Sequence, residues 1–241
     1  MRVALSVVVP VCNEAENVGP LAREIDAALA GTDYEMIFID DGSTDDTLAQ
    51  LHRLRGAGHA RLRILRHSFR SGQSAAVASG VRAARGEWIA TLDGDGQNDP
   101  ADIHGLLAAS AAPENAQVRL FMGNRTTRRD TGFRRLQSRI ANRVRGALLG
   151  DGTPDTGCGI KLFSRAAFLQ LPYFDHMHRF MPALFQSRGW RAVSVPVRHR
   201  SRERGVSKYG MLDRLWVGIV DIFGVLWLRR RFKPGLEATE E

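Results

Sequence analysis

The chain has 241 residues, of which 44% are hydrophobic and 25% are charged. This balance excludes a disordered or fibrous chain, and the length suffices for one α/β domain with a substantial core. The formal net charge of +8 indicates an anionic partner, such as nucleic acid, a membrane surface or a phosphorylated substrate. Two cysteines are too few for a disulfide framework, which favours a reducing compartment.

Five apolar, β-forming runs alternate with helical patterns in the first half of the chain. The runs lie at 3–9, 34–39, 62–65, 87–92 and 118–122. They are continuous rather than alternating, as in strands covered on both faces. Apolar residues repeat at helical spacing from Val18 to Leu29 and from Leu48 to Leu54. This order predicts an α/β fold with a mostly parallel central sheet and helices on both faces.

Polar and acidic residues follow four of these runs. The stretches are "PVCNE" at 10–14, "DDGSTDD" at 40–46, "RHSFRSG" at 66–72 and "DGDGQNDP" at 93–100. Because ligands bind at the carboxyl ends of parallel strands, these stretches are expected to converge on one site. Gly72 and Gln73, which begin the next helical pattern, are expected only to allow close packing of that helix.

Asp93, Asp95 and Gln97 occupy alternate positions after the fourth run. In an extended segment alternate side chains point the same way, so the three could share one ion. Their oxygens suit Mg²⁺ or Mn²⁺ shared with substrate phosphates. The same short pattern is also typical of an acidic turn whose glycines bend the chain, and spacing alone does not decide between the two.

Asp40 and Asp41 end the second run. One of them, with Asp41 preferred, is expected to accept a hydrogen bond from a nucleobase N–H. The residues from Ser43 to Asp45 are explained by a turn and a helix N-cap.

Five motifs stand in a fixed order: "VVVPVCNEAENV", "FIDDGSTDDT", "LDGDGQNDP", "DTGCGIKLF" and "RSRERGVSKYG". In this order they resemble the family 2 inverting glycosyltransferases, within the branch of dolichyl-phosphate mannose synthases and polyprenyl-phosphate glycosyltransferases. The resemblance covers most of the chain, from residue 4 to residue 210, and several motifs in register carry more weight than one. It implies a GT-A fold and metal-dependent transfer of one hexose from a GDP- or UDP-sugar to a polyprenyl phosphate.

The resemblance also implies which residues bind the donor. They are Pro10, Asn13, Glu14, Asp41, Asp93, Asp95 and Gln97, and Asp40 is added to the donor-binding set because it ends the second run. Among them Asp41 contacts the base, and Asp93, Asp95 and Gln97 surround a metal-bound pyrophosphate. A divalent cation would stabilise the charge on the leaving diphosphate and offset the cost of burying the carboxylates.

The acceptor phosphate is expected to be mostly dianionic at neutral pH, so it needs positioning more than deprotonation. Arginine forks suit that task. By resemblance, Arg125 and Arg134 hold this phosphate, and Arg204, Ser207 and Lys208 close on the substrates from a later loop.

Asp155, in "PDTGCG", matches a family position that serves as a base or orients the acceptor. With Asp95, Arg125 and Arg134 it completes the predicted catalytic set. An Asp before Thr-Gly is also typical of a turn.

Three segments are predicted: a GT-A domain at 1–210, a helical segment at 211–233 and a flexible tail at 234–241. The apolar stretch 215–228 would be about 21 Å long as a helix, too short for a hydrocarbon core of roughly 30 Å. Two tryptophans and the arginines at 229–231 favour a helix lying in the membrane interface. Packing on the domain or on another subunit is the alternative.

Together these features predict a peripheral enzyme on the cytoplasmic face of the membrane. Its expected partners are a nucleotide sugar, a polyprenyl phosphate, the membrane surface and a membrane-embedded protein, with no nucleic acid. One alternative is transfer to a glycan or lipid A-type hydroxyl, which requires a true general base. A second is a basic nucleic-acid-binding protein, although acidic strand ends would repel its phosphates. A third is a catalytically idle subunit that binds a nucleotide sugar.

Overall fold

The computed structural model describes residues 3–125, 146, 148–198, 200 and 211–232, with side chains from 218 onward in the last range. The strands in this part of the chain are β1 (Leu5–Val11), β2 (Tyr34–Asp41), β3 (Leu62–His67), β4 (Trp88–Thr91), β5 (Val118–Arg125), β6 (Lys161–Ser164) and β7 (Arg191–Val197). The helices are α1 (Val18–Ala28), α2 (Thr47–Gly56), α3 (Gln73–Ala83), α4 (Ile103–Ala111), α5 (Arg165–Phe168), α6 (Met181–Ser187) and α7 (Met211–Arg231).

The seven strands form one sheet in the order β3-β2-β1-β4-β6-β5-β7. Strand β6 is antiparallel to both of its neighbours, whereas the other adjacent pairs are parallel. Six strands therefore run in one direction, and their carboxyl ends share an edge with the first residue of β6. The predicted α/β architecture with a mostly parallel sheet is confirmed.

Each of the five predicted runs overlaps a strand, and four of these strands extend beyond the end of the run. Strand β2 includes Asp40 and Asp41 because their backbones still pair with neighbouring strands. Backbone pairing, rather than side-chain polarity, decides where a strand ends. Some of the polar residues that were predicted to follow the strands, such as Asp40 and Asp41, therefore belong to the strands themselves.

Helices cover both faces of the sheet. Alternate residues of β1 supply the two cores: Val7 and Val9 belong to the cluster that includes α1, α2 and α4, and Val8 belongs to the cluster that includes α3, α6 and α7. All eight residues of β2 are buried, which explains why its apolar run is continuous rather than alternating.

Helix α7 has two different apolar faces. Val225 is fully buried in the second cluster, with Ile222 and Leu226 packed against it. Phe223 and Trp227 are 66% and 59% exposed. The helix thus packs on the domain and also presents apolar side chains outward. The predicted boundary at 210 and the predicted tail at 234–241 lie outside the described residues.

None of the helices in the described ranges combines the length and the apolar character that crossing a membrane requires.

Glu35 is a charged residue within β2. Its carboxylate accepts hydrogen bonds from Ser6 Oγ at 2.7 Å, Arg63 Nη1 at 2.6 Å and the Arg85 N–H at 2.6 Å. Burial alone would raise the pKa of Glu35, but the hydrogen bonds from Ser6 and Arg63 outweigh burial and hold this pKa below its ordinary value of 4.5. The folded state therefore favours the ionised form.

Part of the stability at neutral pH is expected to come from this carboxylate. Because the pKa of Glu35 is lower in the folded chain, its contribution is fully present above the ordinary value of 4.5 and is lost as the pH falls through the folded value. Glu35→Gln should lower the free energy of unfolding at neutral pH and make it less dependent on pH in acid, as measured by urea unfolding. The exposed Glu87 provides the control, Glu87→Gln, and an identical pH profile for wild type and Glu35→Gln would contradict this assignment.

Candidate active site

The carboxyl ends of the parallel strands bring the predicted donor-binding segments to one edge of the sheet. Val11 of β1 pairs with Asp40 of β2, and Asp41 pairs with His67 of β3. Asp93 follows β4 by two residues. Since β6 runs in the opposite direction, its first residue lies at the same edge as these strand ends. Carboxylates and cationic side chains therefore meet at this edge.

Residues 93–99 form a loop, here called the acidic loop, that is held by its own side chains. The Asp93 N–H donates to Asn98 Oδ1 at 2.9 Å, and the Gln97 N–H donates to Asp95 Oδ1 at 3.1 Å. From α3, Gln73 Nε2 donates to Asp93 Oδ1 at 2.9 Å. This contact corrects the expectation that Gln73 serves only helix packing.

The charge balance in the acidic loop fits a divalent cation. Burial raises the pKa of Asp93, repulsion from Asp95 adds to the rise, and attraction to Lys161 and Arg125 opposes it. A cation next to the two carboxylates would favour their ionised forms. Within the described ranges, no cluster of three or more His, Cys, Asp or Glu side chains could hold a metal. A cation bound by the two carboxylates would therefore also use other oxygens, such as those of an amide side chain, the substrate or water, as Mg²⁺ commonly does.

A narrow cleft lies beside Asp93. Its lining includes Pro10, Gln73, Lys161 and His178. Lys161 is buried, its Nζ donates to the carbonyl oxygen of Cys158, and burial lowers its pKa. His178 Nδ1 lies 2.7 Å from Ser74 Oγ, and burial, followed by the nearby charge of Lys161, lowers the pKa of His178 well below 6.5. His178 is therefore neutral at physiological pH.

Two glycines allow the acidic loop to pack closely. A Cβ atom on Gly159 would lie 2.1 Å from Asp93 Oδ2 and 2.6 Å from Asn98 Oδ1. The Gly159 carbonyl accepts a hydrogen bond from Thr91 Oγ1 at 2.8 Å, which fixes the backbone at this distance. A Cβ atom on Gly94 would lie 2.9 Å from the Pro10 carbonyl oxygen. Both positions require the absence of a side chain.

Arg125 and Asp155 form a two-pronged ion pair. Arg125 Nε lies 2.7 Å from Asp155 Oδ2, and Arg125 Nη2 lies 2.8 Å from Asp155 Oδ1. The side chains are 18% and 4% exposed. Burial would lower the pKa of Arg125, but the hydrogen bonds with Asp155 outweigh burial and raise it. Asp155 therefore keeps Arg125 charged and fixes the orientation of its guanidinium.

Breaking this pair is expected to destabilise the protein. Asp155→Asn should lower the free energy of unfolding by about 3 kcal/mol, because it leaves a largely buried arginine without its counterion. Urea unfolding of Asp155→Asn, Arg125→Gln and the double variant tests the coupling. The double variant should be no less stable than Asp155→Asn alone, and strictly additive losses would contradict a shared role.

The loops after β1 and β2 are joined by hydrogen bonds. Asn13 has a left-handed backbone with φ 54°, a conformation that Asn tolerates. Its N–H donates to Ser43 Oγ at 2.9 Å, and its Oδ1 accepts from the Thr44 N–H at 2.8 Å. The Glu14 N–H donates to Thr47 Oγ1 at 2.8 Å. Predicted nucleotide-binding residues are thus held at the same edge as the acidic loop.

Asp40 and Asp41 are both buried and both hydrogen-bonded to backbone. Asp41 accepts from the Ser71 N–H and the Gly72 N–H, each at 2.8 Å. Asp40 Oδ1 accepts from the Ser43 N–H at 3.0 Å. These bonds fix the loops around the end of β2, and the expected contact of Asp41 with a nucleobase stays a prediction.

Some predicted residues lie outside the described part of the chain. They are Arg134, Arg204, Ser207 and Lys208. Other residues at the site, namely Lys161 and His178, were not singled out by sequence reasoning. A lysine that opens the buried run "KLF" is a signal that could have identified the first of them.

The fold resembles that of a solved glycosyltransferase. A mannosyltransferase from Pyrobaculum calidifontis, in complex with GDP-Man and Mn²⁺, matches with a TM-score of 0.70 over 97% of this chain and 66% of its own, at 22% sequence identity. This likeness confirms the predicted GT-A fold.

Sequence comparison identifies the family. A dodecaprenyl-phosphate galacturonate synthase from Rhizobium johnstonii is 38% identical over 96% of this chain and 69% of its own length. An undecaprenyl-phosphate 4-deoxy-4-formamido-L-arabinose transferase from an Enterobacter species is 34% identical over 86% of this chain, and the match spans 63% of that relative. The model of glycosyl transferase family 2 matches residues 6–171. The chain therefore belongs to glycosyl transferase family 2 and is an enzyme that transfers sugar.

Proposed function

We propose that this chain transfers one hexose, with inversion, from a nucleoside-diphosphate donor to a polyprenyl phosphate. The observation that carries the proposal is the pairing of opposite charges at one sheet edge. Asp93 and Lys161 line the same cleft, and Arg125 pairs with Asp155 near the end of β5. Attraction to Lys161 and Arg125 opposes the rise in the pKa of Asp93. A site with both signs of charge suits a reaction in which a metal-bound diphosphate leaves and a second phosphate attacks. Both relatives named above have a polyprenyl phosphate in their names.

The donor half of the site is assigned to the strand-end loops. Asp93, Asp95 and Gln97 would hold Mg²⁺ or Mn²⁺, which stabilises negative charge on a leaving diphosphate when it is bound. Pro10, together with the joined loops that carry Asn13 and Glu14, would hold the nucleotide. The base is guanine or uracil, and one of the two carboxylates Asp40 and Asp41, with Asp41 preferred, would accept a hydrogen bond from it.

Binding of the phosphate that accepts the sugar is assigned to Arg125. Its planar guanidinium is suited to a phosphate oxygen, and Asp155 orients it. We assign Asp155 this positioning role rather than that of a general base, because a phosphate that is largely dianionic at neutral pH already acts as a nucleophile. Arg134, Arg204, Ser207 and Lys208 keep the substrate-binding roles implied by family resemblance.

A membrane surface is the proposed location of the acceptor. Phe223 and Trp227 project from α7, and three arginines end this helix, a combination that favours binding to anionic lipid. Replacing both aromatic residues with serine should reduce co-sedimentation with anionic vesicles. Leu169, which is 44% exposed at the end of α5, provides the control, Leu169→Ser.

Product identity tests the proposal. The purified chain is incubated with Mn²⁺, radiolabelled GDP- and UDP-sugars and a bacterial lipid extract that contains polyprenyl phosphates. Label that enters the organic phase and is released by mild acid supports transfer to a polyprenyl phosphate. Label found exclusively in water-soluble or acid-stable product would contradict it and favour a hydroxyl acceptor.

A further inference from the structure

Arg200 connects the segment after β7 to the acidic loop and to α1. Its backbone N–H donates to the Gln97 carbonyl oxygen at 3.1 Å. Its guanidinium lies 2.9 Å from Asp99 Oδ2 through Nη2 and 2.6 Å from Glu24 Oε2 through Nη1. One residue thus contacts the backbone and a side chain of the acidic loop and ties both to a core helix.

Asp99 is the more buried of the two carboxylates. Its side chain is 10% exposed, compared with 44% for Glu24. The other oxygen of Asp99 accepts from the Ala101 N–H at 3.0 Å, at the start of the short 3₁₀ turn Pro100–Asp102. Arg200 therefore adds a charge-assisted hydrogen bond to the carboxylate that ends the acidic loop.

Arg198 is a neighbouring arginine with a different environment. Its backbone N–H donates to Asp102 Oδ2 at 2.7 Å, a bond that does not depend on its side chain. Its guanidinium lies 3.7 Å from Asp99 Oδ2, and the side chain is 77% exposed. An exposed pair at this distance contributes little, so Arg198 provides a matched control.

We infer that Arg200 is a positioning residue that fixes the acidic loop in the conformation that receives the donor diphosphate. The inference rests on the proposed function. The guanidinium of Arg200, bound to Asp99 and Glu24, holds the Arg200 backbone in place, and the backbone N–H in turn holds the Gln97 carbonyl. Because the Gln97 N–H donates to Asp95, loss of the guanidinium should shift two of the three proposed metal-binding residues, Asp95 and Gln97. Contacts of this kind, which orient metal ligands without touching the metal, typically account for about 10- to 100-fold in metal affinity or activity.

Hydrogen exchange and nucleotide binding of Arg200→Gln and Arg198→Gln, together with kcat for Arg200→Gln, test the inference. Hydrogen exchange is measured by mass spectrometry on peptides that cover residues 93–102. Binding of GDP or UDP with Mn²⁺ is measured by calorimetry. In Arg200→Gln, exchange should be faster and nucleotide affinity about 10-fold weaker, with kcat at saturating donor and metal within about twofold of wild type. Arg198→Gln should match the wild type in both measurements.

The outcomes separate this inference from the proposed function. If the wild type binds nucleotide and Arg200→Gln binds it equally well, or if both arginine variants weaken equally, Arg200 has no positioning role. If the wild type binds neither nucleotide, the proposed function fails and the role of Arg200 fails with it. If Arg200→Gln does not fold, Glu24→Gln decides, because it removes one of the two side-chain contacts of Arg200. Faster exchange with an affinity weakened about twofold or more supports the inference, and unchanged exchange and affinity overturn it.

Discussion

Replacing Asp95 with asparagine is expected to lower kcat/KM by about 100- to 1,000-fold, the range seen when one group that stabilises developing charge is removed. Asparagine keeps the size of the side chain and an oxygen that can accept from the Gln97 N–H, as Asp95 does at 3.1 Å. The change therefore removes the negative charge proposed to bind the cation while leaving the loop its local hydrogen bond. Initial rates at varied donor and Mn²⁺ concentrations measure the effect.

Asp46→Asn is the matched control for this substitution. Asp46 is exposed at the start of α2, where its side chain makes no capping hydrogen bond, so its replacement should leave the rate unchanged. If Asp95→Asn reacts at a rate close to that of the wild type at low Mn²⁺, the acidic loop has no role in the proposed reaction.

Replacing Gly159 with alanine is expected to lower activity by about 100-fold, because a misplacement of 1 Å at a reacting group can cost that much. The added Cβ would lie 2.1 Å from Asp93 Oδ2 and 2.4 Å from its Cγ. Since Thr91 holds the Gly159 backbone, the carboxylate of Asp93 has to move. Single-turnover rates with saturating donor report the loss.

Gly105→Ala provides the same substitution at an open position. Nothing lies within 4 Å of a Cβ built on Gly105 in α4, and alanine is the better helix former, so activity should be retained and stability should not fall. Thermal unfolding of Gly159→Ala shows whether lost activity comes from a displaced Asp93 carboxylate in a folded protein or from a disrupted fold. Full activity in a folded Gly159→Ala variant would show that the position of Asp93 is not critical.

The sheet and the location of the site were predictable because the apolar runs carry that information directly. Residues 36–39 of β2 are buried, so selection for burial leaves a continuous apolar run at the centre of the strand. Parallel strands then place their following loops at one edge. Asp41 and Asp93, separated by more than 50 residues in the sequence, could therefore be assigned to the same edge without coordinates.

The side-chain pairs were less predictable because they depend on register and on distant loops. The resemblance placed Arg125 and Asp155 in the site separately, but nothing in their spacing indicates that they hydrogen-bond to each other. Gln73 reaches Asp93 because α3 starts beside the end of β4, and His178 enters the cleft from a segment about 100 residues later. Local sequence patterns report burial and turns, whereas such contacts require the tertiary arrangement.

The reversed direction of β6 has a consequence for how acceptor specificity could evolve. Strand β5 ends and β6 begins at the same edge, with Met122 paired to Lys161, so both ends of the intervening stretch lie next to the carboxylates. Insertions or exchanges between residues 125 and 161 would alter the surroundings of the attacking group while leaving β1 to β4 untouched. In this arrangement, the proposed donor-binding part of the sheet, β1 to β4, can be combined with segments that bind different sugar acceptors.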